Sequence, residues 1–323
     1  MKITNKTFIL LAMLSLLVVL SGCAREEQAA VGKDPKSINI TYVKAPLNVP
    51  SIVEKKMGLF EKEFSKEKIS IGFPEITAGP KQTEAIAAGS VDFAHCLGGT
   101  AAILAAANGV DLKIVGIYSR APKAFVLLVK DPQVQTVKDL KGKKVAGPKG
   151  TVLHQLLLAA MEKNGMKSDD VQFIAMDIPG AVAALANGSV DAALAAGPDV
   201  LRAEQSGARI IANGEGLVEA TIVTAVSGEF LQKHPDMVRR FMKVHHNALV
   251  YIKNNREEAL KYTADETGLP LETVKEMYSW YDFDETIRPS DITELKKTQD
   301  FLVKEGMLTK AISIEDIIAK IEP

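Results

Sequence analysis

Cysteine is nearly missing from this sequence: two occur in 323 residues, too few for a disulfide framework or a four-thiolate zinc site. Histidine is scarce as well, with five. Neither H-E-x-x-H nor G-x-S-x-G occurs, so the common zinc-hydrolase and serine-hydrolase signatures are missing. His245 and His246 are adjacent, which on a helix turns them about 100° apart and prevents the chelation that an i,i+4 pair allows. No cofactor and no metal site is therefore expected. Positive charge is not in excess either: 39 Lys+Arg face 40 Asp+Glu, a formal charge of -1. No basic field exists to attract nucleic acid or an anionic membrane surface non-specifically, so any anion must be captured by local groups. What is present, 47% apolar and 24% charged residues, is average for a globular chain and excludes disorder, collagen and coiled coil. The length suggests about two domains.

The N-terminus carries the most specific local signal. Lys2 and Lys6 precede an apolar run from Phe8 to Leu20 broken only by Ser15, and Leu20-Ser21-Gly22-Cys23 closes it. The run falls short of the ~20 residues a permanent span needs and reads as an export signal over residues 1–22. Its last four residues resemble the bacterial lipobox, which makes Cys23 the expected lipidation site. Removal of residues 1–22, with two lysines and no acids, leaves 37 - 40 = -3 charges. Residues 23–37 are small, charged and aperiodic, a flexible tether. With Cys23 lipidated, Cys96 has no partner for a disulfide; it reads as a small buried thiol or a ligand contact.

From Ser37 onward short β-rich runs alternate with Ala/Leu-rich amphipathic segments, which implies an α/β class with βαβ crossovers and parallel sheets. An echo divides this region. Glu84–Ala94 and Ala183–Ala193 each read as a helix ended by glycine, then Ser-Val-Asp and a short strand. Gly89 and Gly188 suit the left-handed position after a helix, and the offset is 188 - 89 = 99 residues. Two lobes of like topology follow.

Taken together, the lipobox, the strand and helix start at Tyr42–Val53, AAGSVDFAHCLGGTAAI at 87–103, VKDLKGKKVAGPKGTVLHQLLLAAMEKNGM at 137–166 and ALANGSVDAAL at 184–194 resemble the nitrate/sulfonate/taurine group of ABC-importer solute-binding proteins. The resemblance implies a type II periplasmic binding-protein fold: two lobes joined by two crossing strands, with a ligand cleft between them. Lobe one would comprise 38–122 plus 228–323 and lobe two 123–227, with crossings near Pro122–Lys130 and Thr221–Ser227. It also implies a monomeric, non-enzymatic receptor, exported and lipid-anchored to a membrane, that hands a small solute to an ABC permease and its ATPase.

Ligands in open α/β sheets collect beyond the carboxyl ends of strands, where helix starts present free N–H groups. Three loops fit: Lys44–Asn48, Cys96–Thr100 and Pro148–Thr151. Gly98, Gly99 and Gly150 permit close approach of the main chain, and Thr100 and Thr151 supply a cap or a hydroxyl. The expected binding set is Asn48, Gly98, Gly99, Thr100, Thr151, His154 and Gly197. His154, on the first turn of an apolar helix, is either satisfied locally or a ligand contact. Lys149 and Arg120 are candidate cleft charges or solvated side chains. Tyr278, Trp280, Tyr281 and Phe283 read as core or lobe packing or as a stacking platform for a planar ligand. GKKVAGPKGT is no P-loop, because Pro148 follows Gly147 and breaks the G-K-[ST] order.

The solute that the resemblance implies is a small, anionic organic compound, sulfonate-, taurine- or nitrate-like. Related sulfonate binders carry a Trp-Asp-Pro-type sequence where this chain has Leu194-Ala-Ala-Gly-Pro-Asp199, and the cysteine-rich motif of pyrimidine-precursor binders is missing too. The alternatives are a different small solute, such as a pyrimidine precursor, or an enzyme or sensor on the same fold.

Overall fold

The computed structural model describes residues 34–321 other than position 46; the export run, Cys23 and most of the tether lie outside the described residues. From Asp34 onward the chain forms one compact unit. Ten strands carry the alternation that begins at Ser37: β1 (Ser37–Asn39), β2 (Ser70–Gly72), β3 (Phe93–Gly98), β4 (Leu112–Arg120), β5 (Phe125–Val129), β6 (Lys144–Gly147), β7 (Gln172–Ala175), β8 (Ala192–Ala196), β9 (Arg209–Asn213) and β10 (Thr221–Ser227).

They make two sheets of matching order. In the first, β1 pairs with β2 in parallel, and β10 lies between β3 and β4. Hydrogen bonds from Thr41 N to Phe93 O and from Asp92 N to Asn39 O, both 2.9 Å, join the two parts into β2-β1-β3-β10-β4. The second sheet runs β7-β6-β8-β5-β9. Strand for strand, the fourth position in each is antiparallel to both neighbours. This corrects the expectation of parallel sheets. β10 and β5 are the strands that reach their sheet directly from the other lobe, so neither follows a crossover helix of its own sheet, and the right-handed βαβ rule does not orient them. Residues Ala121–Ala124 lead out of β4 into β5, and Gly214–Ala220 lead back into β10. The two crossings lie side by side, with Arg120 paired to Thr221 and Gly214 N donating to Pro122 O at 2.9 Å.

The sequence echo is a structural repeat. Gly89 and Gly188 both adopt positive φ, 66° and 77°, after their helices. Asp92 Oδ2 then accepts from the Asn39 amide at 2.7 Å, and Asp191 Oδ2 from the Lys144 amide at 2.8 Å. Each aspartate opens its strand and ties it to the neighbouring one.

The segment Val49–Phe64, which reads as one helix, is broken by Gly58 at φ 61° into Val49–Met57 and Leu59–Phe64. The break sends Phe60 and Phe64 into the core of lobe one, where Phe241 stacks on Phe60 (centroids 4.6 Å apart) and on Phe93 (3.9 Å). Phe241 belongs to the long Pro235–Asn254 helix, whose buried residues Met237, Val238, Phe241, Val244, His245, Ala248 and Ile252 recur at three- and four-residue steps. Each large apolar side chain so buried contributes about 1.5–3 kcal/mol. Arg120, at the end of β4, is buried and holds Asp291 with two hydrogen bonds of 2.6 and 2.5 Å. It also donates to the Asp284 and Thr286 carbonyls, pinning residues 282–291 across the exit of lobe one. Its charge is spent there.

Candidate solute site between the lobes

Two helix starts meet at the seam. β3 runs through Gly98 into the Gly99–Ala107 helix, and β6 leads through Pro148–Thr151 into Val152–Lys163. A Cβ on Gly98 would lie 3.5 Å from Val152 Cγ2, and one on Gly150 3.4 Å from Leu104 Cδ1. Gln155 bridges the lobes: it accepts from Thr100 Oγ1 at 2.9 Å and donates to Thr298 Oγ1 at 3.0 Å. All three are buried. The lobes are therefore in contact along this side, the geometry of a closed cleft.

At the centre of the seam stands Cys96. Val223 pairs with Leu97 but Thr224 with His95, so Cys96 is the extra residue of a β-bulge, and its φ is 83°. A non-glycine residue at positive φ is strained, and bulges re-aim side chains beside functional sites. The bulge keeps Leu97 in the same apolar cluster as Ala94 and puts Cys96 into another, with Val43 and Tyr118 of lobe one and Val152 and Ala196 of lobe two. Trp280, Tyr281 and Phe283 pack their rings against that second cluster. Three polar groups interrupt this apolar surface. Asn48 lies near the Cys96 thiol, its amide N–H groups donating to the Val43 and Ala45 carbonyls. Tyr118 Oη bonds Ser51 Oγ at 2.8 Å. Tyr281 Oη is buried with no partner. Burial pushes the Cys96 thiol well above its usual range, so it is neutral and a poor nucleophile.

The expected residues fare differently. Asn48 donates to the Val43 and Ala45 carbonyls at 2.7 and 3.1 Å, which spends its amide on shaping its own loop. Gly98 lies at the seam in an extended conformation. Gly99 has a structural duty: a Cβ there would meet Leu295 Cδ2 at 2.9 Å and the Thr221 carbonyl at 3.1 Å. Thr100 spends its hydroxyl on Gln155, and Thr151 donates to Pro148 O at 2.8 Å. His154 takes the local reading: Nδ1 accepts from the Gly150 amide at 3.4 Å, and the ring lies 4.4 Å from that of Phe173. Burial, with Lys149 nearby, pushes it down to about 4, so it is neutral at pH 7. Gly197, at φ 62° and ψ -136°, starts the Pro198–Gln205 helix in a conformation that is essentially glycine's alone. Lys149 is exposed and Arg120 is committed to Asp291.

Tyr281 and Gln155 were not among the expected residues. Tyr281 lies in an aromatic patch whose sequence points to packing or ring stacking and not to a hydroxyl donor, and Gln155 in an apolar helix carries no motif. A cavity of about 560 Å³ on lobe one, lined by Arg256, Leu260, Lys275 and Tyr278, reaches Tyr281. Glu257 shares the lining with these two cations, and Arg256 lies over the Tyr278 ring, 5.5 Å from its centroid.

Residues 49–259 match the family described as NMT1/THI5 like, and that span is well over half of the chain. The chain belongs to this family. Relatives with near-full coverage bear sulfonate names. A protein of Bacillus subtilis (strain 168), named "Putative aliphatic sulfonates-binding protein", is 31% identical over 313 residues, 96% of this chain and 93% of the relative. The taurine-binding periplasmic protein of Escherichia coli (strain K12) is 26% identical over 219 residues, 67% of each chain. Among solved structures, the alkanesulfonate-binding protein SsuA from Xanthomonas axonopodis pv. citri bound to MOPS has a TM-score of 0.81 and 28% identity, covering 90% of this chain and 100% of that one. The NMT1/THI5-like chain thus has the periplasmic binding-protein fold, as the sequence resemblance implies. Among its described residues no helix is long and apolar enough to cross a membrane.

Proposed function

We propose that this extracytoplasmic solute-binding protein of an ABC import system captures a small organic anion of the sulfonate class between its lobes and delivers it to a permease and its ATPase. The observation that carries the reading is the seam itself. Side chains of both lobes pack into one apolar cluster around the neutral Cys96 thiol, and the hydroxyl of Tyr281, which packs against that cluster, is buried with no partner. Neutral donors suit a sulfonate, which stays ionised at every accessible pH and needs hydrogen bonds without a proton acceptor. The apolar wall suits its organic part. A solute that touches both lobes favours the closed state by its differential contacts, which is all a receptor requires. Catalysis has no support in the chemistry, since Cys96 is a neutral thiol and His154 is held neutral by its own loop. Lipidation at Cys23 would tether the unit to the membrane beside the permease.

The test is native mass spectrometry of protein purified without denaturation, followed by thermal titration with alkanesulfonates, taurine, nitrate and matched carboxylates. An unaltered sulfonate released from the protein, with a melting temperature rising as RT ln(1 + [L]/Kd), is the expected result. Equal stabilisation by carboxylates, or chemical conversion of the solute, would refute it.

A further inference from the structure

We propose that Glu54, His95 and His245 form a buried three-ligand divalent-metal site, of the zinc class, inside lobe one, with the fourth position left to a non-protein ligand such as water. The three come from separate elements: the Val49–Met57 helix, β3 and the Pro235–Asn254 helix. None is more than 1% exposed. Glu54 Oε2 lies 3.1 Å from His95 Nε2, and Glu54 Oε1 lies 2.6 Å from His245 Nδ1. One ligand atom from each residue can be chosen so that all three lie within 4.8 Å of one another. Zinc binds nitrogen and carboxylate oxygen at about 2.0–2.2 Å, and two histidines with one glutamate are a known donor set for it. Small rotations of the rings, widening the 2.6 Å contact, bring the three atoms to tetrahedral spacing. The adjacency of His245 and His246 hides this arrangement, because the partner of His245 is His95 on another element. His246 turns away to Glu285, 2.6 Å from Nδ1.

Charge points the same way. Among the described residues Glu54 has no Lys or Arg partner, only the two imidazoles. Around them stand Phe60, Tyr118 and Phe241, each within 6.5 Å of the His95 ring, and these offer no counter-charge. A carboxylate between two neutral imidazoles leaves a net negative charge in an apolar core, a heavily penalised arrangement. His245 Nε2 is buried without a partner however that charge is cancelled. A divalent cation cancels it with both rings neutral. The outer contact fits as well: His95 Nδ1 is bonded to Thr224 Oγ1 at 3.0 Å, the kind of partner that orients a metal-bound imidazole. The site would staple the two helices to β3 beneath the Cys96 bulge without touching the solute.

The experiment uses the full globular chain. Because the site is buried, the protein is unfolded with chelator present and refolded with zinc, with cobalt(II) or with neither. The expected result is about one zinc per chain after gel filtration, a higher melting temperature than the metal-free sample, and a cobalt(II) visible spectrum typical of a tetrahedral site. Glu54→Gln and His245→Gln should lose the metal, while His246→Gln and His234→Gln should keep it. Refolded wild type that holds no zinc and gains no stability would overturn the proposal, as would zinc lost only in the His246 or His234 variant, which marks a surface site. If the Glu54 and His245 variants do not fold, the wild-type stoichiometry and the imidazole ¹⁵N shifts decide. Two metal-bound nitrogens support the site, and hydrogen-bonded imidazoles alone refute it.

Discussion

Removing a single oxygen tests the seam most sharply. Tyr281→Phe keeps the ring, which stacks on Phe283 with centroids 5.2 Å apart and planes 6° apart, and deletes only the buried hydroxyl that has no partner. A hydrogen bond to a charged group contributes about 1.5–3 kcal/mol net. If the solute's anionic end supplies the missing partner, the variant should bind it roughly 10- to 150-fold more weakly. The solute-free protein should respond in the opposite sense. In an open cleft water reaches the hydroxyl, and its loss is neutral; in a closed cleft the unmade bond is relieved, adding up to about 1 kcal/mol. That corresponds to a melting temperature unchanged or raised by about 2–4 °C for a chain of this size. Calorimetric titration with the co-purified solute gives the first quantity and differential scanning calorimetry of solute-free protein the second. A variant that melts lower and binds equally well would show that the hydroxyl does not face the solute, and the seam as described would not be the site.

Four further outcomes follow from the geometry. Gly99→Ala should destabilise the solute-free fold by about 1–3 kcal/mol, because its Cβ meets Leu295 and the Thr221 carbonyl; an unchanged urea midpoint would contradict this. Arg120→Met leaves Asp291 buried and unpaired and should cost about 3–5 kcal/mol, with much of the loss recovered in Arg120→Met/Asp291→Asn. His154, held down at about 4 against an ordinary value near 6.5, contributes stability that is present above pH 6.5 and is lost as pH falls toward 4, by about 2–3 kcal/mol. Urea melts at pH 7 and pH 4 should show that slope in the wild type and a shallower one in His154→Gln. Cys23→Ala should move the protein from the membrane fraction to the soluble fraction, and acyl mass on the variant would refute lipidation at that residue.

Much of the architecture is legible in the chain because it is local. Alternation of β-rich and amphipathic runs sets the strands, and the Gly-Ser-Val-Asp echo marks the two lobes, since a left-handed glycine and a strand-opening aspartate act over a few residues. The helix starts at Gly98–Thr100 and Pro148–Thr151 are visible for the same reason, and the structure brings them face to face. Strand direction within each sheet is not local: β5 and β10 run antiparallel because each enters from the other lobe. Nor is the use of individual side chains. Arg120 looks as fit for the cleft as for solvent until Asp291, 171 positions away, takes its charge. Thr100 reads as a ligand donor until Gln155 crosses the seam to it. His95 and His245 converge on Glu54 over separations of 41 and 191 residues, which no spacing motif records. The sequence by itself determined the elements, their repeat and the family. Only tertiary structure decided which polar groups meet, which are spent on each other, and which, Tyr281 Oη among them, are left buried without a partner, because those outcomes depend on contacts between segments far apart in the chain.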